Sequence, residues 1–131
     1  MEVLASRMLL RPADYQRSLR FYRDEIGLAI ARDYGAGVVF YAGQSLIEIA
    51  GHGNPGRTAA NFPGALWLQV RDVAATEAEL RSRGVSIARS ARRELWGLHE
   101  MHVNDPDGLT LIFVEVPHDH PLRRDTRQDA R

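Results

Sequence analysis

Arg11-Pro12-Ala13-Asp14-Tyr15-Gln16-Arg17-Ser18-Leu19-Arg20-Phe21-Tyr22-Arg23-Asp24-Glu25-Ile26-Gly27-Leu28 is the stretch whose reading decides the fold. Asp14 is placed to cap a helix, since its carboxylate accepts from the first unpaired backbone N–H groups. Tyr15, Leu19, Tyr22 and Ile26 recur near helical spacing, and Gly27 is a natural stop. Just before it, Arg7-Met8-Leu9-Leu10-Arg11 reads as a strand. Just after it come two β-like runs, Val38 to Ala42 and Leu46 to Ala50, joined by a hairpin turn at Gly43-Gln44-Ser45.

The same order then returns. Ala65 to Val70 reads as a strand, and Asp72 caps a helix carrying Val73, Thr76 and Leu80 that stops at Gly84. Val85 to Ala88 is β-like, and Glu100 to Val103 and Leu109 to Val116 flank a turn at Asp105-Pro106-Asp107-Gly108. Laid over the first half, Leu66 falls on Met8, Leu68 on Leu10, Asp72 on Asp14 and Leu80 on Tyr22. The pattern is a repeated β-α-β-β-β unit. It predicts an α+β fold: a curled mixed sheet around a cup, with the helices on the outer face. One domain is expected over residues 1–117, module one at about 5–52 and module two at about 63–117. Residues 51–64, rich in Gly, Pro and Asn, read as a linker within the domain. The polar segment 118–131 cannot build a core; a docked arm and a disordered end both remain open.

Composition limits the function. The chain has 131 residues, with 17 basic and 17 acidic side chains and a formal net charge of zero. A nucleic acid or an anionic membrane needs a basic face, so neither is expected as partner. With no Cys there is no disulfide, no thiolate metal site and no Cys nucleophile. No apolar run reaches membrane-spanning length and the start does not read as a signal peptide, so a cytoplasmic protein is expected.

Strand alternation separates two faces. Met8, Leu10, Ile47, Ile49, Leu66, Leu68, Val70, Met101, Val103, Leu111 and Phe113 form an apolar face that should meet the helices. The other face mixes chemistries: Arg7, Leu9, Arg11, Leu46, Glu48, Ala50, Ala65, Trp67, Gln69, Glu100, His102, Thr110, Ile112 and Val114. Apolar walls with a few convergent polar groups fit a ligand-sized cup, with a dimer interface or a solvated sheet face as the alternatives. Tyr41 and the loop Trp96-Gly97-Leu98-His99 border that face; Trp96 either closes over a ligand or covers the sheet edge.

The opening stretch, from Arg11 to Leu28, resembles the first helix of the vicinal oxygen chelate superfamily. That family includes glyoxalase I, bleomycin-resistance proteins, fosfomycin-resistance enzymes and extradiol dioxygenases. Asn104-Asp105-Pro106-Asp107-Gly108 resembles its last hairpin, and the resemblance covers roughly residues 5–117. It implies paired modules around a cup, a homodimer, and in enzymatic members a divalent metal. The metal-ligand places fall on Arg7, Glu48, Ala65 and Ile112, of which only Glu48 carries a donor a metal would use. His102 adds at most a second ligand, whereas zinc, nickel or iron takes three or four. No metal or other cofactor is therefore expected. His52, His99, His118 and His120 read as loop or surface residues.

Two functions follow. One is a metal-free protein that binds an aromatic or drug-like molecule through Arg7, Arg11, Tyr41, Trp67, Gln69, Trp96 and Glu100. The other is a glyoxalase-like lyase or isomerase, or a dioxygenase, in which Glu48 and His102 move a proton and Arg7 or Arg11 steadies negative charge. For Arg7 and Glu48 a salt bridge joining strands competes with either role. An accessory subunit with a filled cup is a third possibility.

Overall fold

The structure is a computed structural model and describes residues 1–51 and 62–123. Module one runs β1 (Met8–Leu10), α1 (Tyr15–Arg20), β2 (Ile30–Asp33), β3 (Gly37–Ala42) and β4 (Ser45–Ala50). Module two repeats the order as β5 (Leu66–Gln69), α2 (Val73–Ser82), β6 (Arg89–Arg93), β7 (His99–Asn104) and β8 (Thr110–Glu115). The first sheet is ordered β1-β4-β3-β2 and the second β5-β8-β7-β6. In each, the opening strand runs parallel to the closing one and the remaining pairs are antiparallel. The fold is α+β, built from two β-α-β-β-β modules whose four-stranded sheets do not pair with each other.

Local chemistry explains the elements. Asp14 accepts from the Arg17 N–H at 3.1 Å, and Asp72 from the Ala75 N–H at 2.9 Å. Both helices therefore start at the residues the repeat singles out. Beyond Arg20 the first helix widens into a π-type winding over Phe21–Ile26. Gly27 closes it in the left-handed region, at φ 82°, where a side chain would be strained.

Two strands depart from expectation. Val85 to Ala88 is not a strand; β6 begins at Arg89. Its counterpart β2 lies in a stretch the pattern left unassigned. Both are outer strands with a register shift, between Ile30 and Arg32 and between Arg89 and Arg92. A bulge breaks the alternation by which a strand is read, and arginines on an edge hide its hydrophobic signal. Most of the 51–64 linker, with His52, and the segment 124–131 lie outside the described residues. The start of the C-terminal segment docks: the His120 Nε2 atom lies 2.9 Å from the Trp96 carbonyl oxygen.

The predicted inner face does meet the helices. Ile47, Ile49, Met101, Val103, Leu111 and Phe113 are buried in one cluster with Leu19, Tyr22, Ile26, Val73 and Leu80. Met8, on an edge strand, stays 36% exposed. A polar clamp crosses this core between the modules. The Tyr22 hydroxyl donates to Asp105 Oδ2 at 2.7 Å, while the N–H groups of Asp107 and Leu109 donate to Asp105 Oδ1, each at 2.9 Å. Asp107 in turn accepts from the Ala13 N–H at 3.0 Å and the Ser18 hydroxyl at 3.4 Å. Arg83 Nη1 donates to the Ile26 carbonyl at 3.1 Å. Burial raises the Tyr22 phenol above its ordinary pKa, with Asp105 adding to the shift, so Tyr22 remains a proton donor.

Removing the donor should expose the clamp's weight. Tyr22→Phe leaves Asp105 buried with one partner fewer and is expected to cost about 2 kcal/mol. Urea unfolding checks this: the midpoint should fall with an unchanged slope, and an unchanged midpoint would contradict the role.

Candidate functional site

Strand register assembles the face turned away from the helices. Across the second sheet Trp67 pairs with Ile112, Ile112 with His102, and His102 with Arg89. The next row is Gln69, Val114, Glu100 and Arg92. Paired residues in adjacent strands point the same way, so these eight side chains share one face. The first sheet carries the corresponding row Leu9, Glu48, Val39 and Arg32. Each module thus ends a transverse row on an arginine of its bulged outer strand.

In module one the row is closed on itself. Arg7 Nη1 donates to Glu48 Oε1 at 2.9 Å, and the Tyr34 hydroxyl donates to Glu48 Oε2 at 2.6 Å. The Glu48 hydrogen bond is the chief cause of a raised Tyr34 pKa. The Arg32 guanidinium sits 5.5 Å from the centroid of the Tyr34 ring. Gly37 makes this possible, since a Cβ there would collide with the Tyr34 hydroxyl and with the Ile49 carbonyl. Tyr34 gave no periodic signal, because it lies in the turn between β2 and β3. Tyr41 is exposed and pairs with Leu46 on the same face, and Arg11 is exposed just past β1.

Trp67 is 48% exposed. A groove of about 770 Å³ lies between the modules, lined by Leu28 and Ala42 to Ser45 of the first and by Trp67 to Arg71 and Phe113 of the second. A second, of about 330 Å³, lies on the other side among Arg7, Met8, Leu46 and Trp67. Both volumes suit a small molecule, and Trp67 borders both grooves. Trp96 does not hang free: its indole N–H donates to the buried Glu100 carboxylate at 2.7 Å. Glu94, nearly buried, accepts from Arg89 Nη2 and from Arg92 Nε. Desolvation pushes the Glu94 carboxyl up, but the two guanidiniums hold it below the ordinary value. Arg89 Nη2 also donates to the Glu100 carbonyl at 3.0 Å. Desolvation, and then the Arg89 charge, hold the His102 imidazole below its ordinary pKa.

The structure brings Arg7 to Glu48 and Trp96 to Glu100. It places Trp67, Gln69, Glu100 and His102 on one face, with Glu48 on the other sheet. Arg89, Arg92 and Glu94 were missed because β6 was read too early; the run Arg89-Ser90-Ala91-Arg92-Arg93 was the available signal. The donor set does not fit a divalent ion. Of the four ligand places implied by the resemblance only Glu48 has a carboxylate, and a guanidinium holds it. No three His, Asp or Glu side chains converge among the described residues.

Comparison with known proteins places this geometry. Residues 5–113 match the family model described as the Glyoxalase/Bleomycin resistance protein/Dioxygenase superfamily. A protein of unknown function from Agrobacterium tumefaciens str. C58 is similar in structure, at 25% identity and TM-score 0.69, over 89% of this chain and 95% of that one. A glyoxalase/bleomycin resistance protein/dioxygenase from Alicyclobacillus acidocaldarius is similar at 16% identity and TM-score 0.68, over 85% and 89%. A bleomycin-binding protein complexed with bleomycin is similar at 19% identity and TM-score 0.66, over 88% and 100%. No curated protein matches the sequence.

His102 offers a direct check on the electrostatics. Its folded-state pKa lies below the unfolded value, so the fold resists protonation. That stability is present above the ordinary histidine range and is lost as pH falls through it. An NMR titration should place His102 below an ordinary histidine, and Arg89→Gln should move it upward. A midpoint that ignores Arg89 would remove the guanidinium from the imidazole's surroundings.

Proposed function

We propose that this chain, which belongs to the Glyoxalase/Bleomycin resistance protein/Dioxygenase superfamily, is a cytoplasmic, metal-free protein that binds an aromatic or drug-like small molecule against the polar face of its sheets. The observation that carries this reading is Trp67: a large aromatic side chain, half exposed on a strand, bordering both grooves. An indole face is a broad stacking platform with one N–H donor at its edge. The resemblance in fold to a bleomycin-binding protein supports the same class of ligand.

The competing proton-transfer reading gains nothing from the geometry. Glu48 is held by Arg7 and Tyr34, and His102 lies on the other sheet. We also propose a homodimer. The outer strands β2 and β6 are bulged and carry one and three arginines, which discourages pairing, whereas β1 and β5 are short and mostly apolar.

Calorimetric titration with a panel of planar aromatic compounds tests the binding role. Saturable binding should weaken about tenfold in Trp67→Ala; equal affinity in the variant would exclude the stacking surface. Elemental analysis after growth with added zinc, nickel, manganese and iron tests the metal-free character. No stoichiometric metal is expected, and a metal lost in Glu48→Gln would overturn it.

A further inference from the structure

Accepting that the module-two face takes an aromatic ring, the far end of that face specifies what the ring carries. Arg89 and Arg92 share the face with His102 and Glu100. Glu94, 7% exposed at its side chain, accepts from Arg89 Nη2 and, at 3.4 Å, from Arg92 Nε. A single buried carboxylate therefore orients two guanidiniums. The Glu100 carbonyl fixes Arg89 a second time.

These anchors leave donors unused. Arg89 Nε is buried without a partner among the described residues. Arg89 Nη1 and both terminal nitrogens of Arg92 likewise have no hydrogen bond among the described residues. A guanidinium is a planar fork matched to a carboxylate, and anchoring one part of it removes most of the ordering cost of using the rest. One further carboxylate, Glu100, shares this face in register with Arg92, so the two guanidiniums stand among two acids. Glu100 accepts from the Trp96 indole, and Arg93 and His99 pair with each other on the opposite side, next to Glu115. His102 stands between Arg89 and the apolar Ile112. From β5 to β6 the row spans three strand spacings, roughly 14 Å. Trp67 and Arg89 project from its two ends.

We infer that the ligand is an aromatic carboxylate, its ring bedded on Trp67 and Ile112 and its anionic group received by Arg89 and Arg92 beside His102. This rests on the binding role proposed above and adds the charge of the ligand to it.

The test compares 2-naphthoate with 2-naphthamide, which present the same ring with and without the charge. Both are titrated calorimetrically into the full chain at neutral pH and low salt. Naphthoate should bind about tenfold more tightly, and added salt should shrink the difference. Arg89→Gln should abolish the preference and Arg92→Gln should reduce it. Arg92 is mostly exposed and held by one long bond, so its variant keeps the experiment readable if Arg89→Gln unfolds. Equal binding of the two compounds, weakened by Trp67→Ala, would leave the aromatic site standing and overturn the carboxylate. A preference unchanged in both arginine variants would also overturn it. No binding of either compound would remove both proposals.

Discussion

Asp105 is the residue on which the rest of the structure depends. Its carboxylate is buried at the last hairpin of module two, yet its principal side-chain partner, Tyr22, belongs to the first helix of module one. Burial holds the Asp105 pKa above its ordinary value, and Tyr22 and two backbone N–H groups offset only part of that rise by favouring the ionised form. A carboxylate is stable in such a place only when its lone pairs are used. The chain must therefore bring helix and hairpin together to satisfy it. Asp107, two residues on, ties the same hairpin to Ala13 and Ser18. The modules are thereby joined through their helix-bearing sides, and the opposite faces of both sheets remain for other work.

Duplication then supplies two versions of one frame. In each module a row of four paired residues crosses the sheet and ends on an arginine next to a bulge. In module one the row holds Glu48, which Arg7 pairs as an ion and Tyr34 helps to fix in place. In module two the corresponding place is Ile112, flanked by Trp67 and His102. The acid and the open aromatic surface are thus separated between modules. The repeated frame carries a salt-bridged carboxylate on one side and a half-exposed indole on the other.

Much of this was legible in the residues. Asp14 and Asp72 marked both helix starts, because capping is local chemistry. The alternation in β4, β5, β7 and β8 sorted inner from outer side chains, because those strands pair regularly. The Arg7–Glu48 pair followed from two opposite charges on neighbouring strands of one face. Illegible were the features in which the chain departs from period two. The bulges in β2 and β6 hid those strands, and with them Arg32, Arg89 and Arg92. Tyr34 reaches Glu48 from a turn, across the space left by Gly37, and no spacing rule announces such a reach. Glu94 follows β6 directly, and only its ion pairs with Arg89 and Arg92 make it the counter-ion of two arginines. The docking of His120 on the Trp96 loop joins segments far apart in the chain.

The central claim is that the module-two face, and not a metal at Glu48, receives the ligand. The most direct measurement is an amide chemical-shift map of the full chain, titrated with 2-naphthoate in the presence of a chelator. The account predicts saturable shifts concentrated at Trp67 to Gln69, Arg89 to Arg93, Glu100 to His102 and Ile112. Shifts that appear only after a divalent metal is restored, or that centre on Leu9, Arg32 and Glu48, would contradict it.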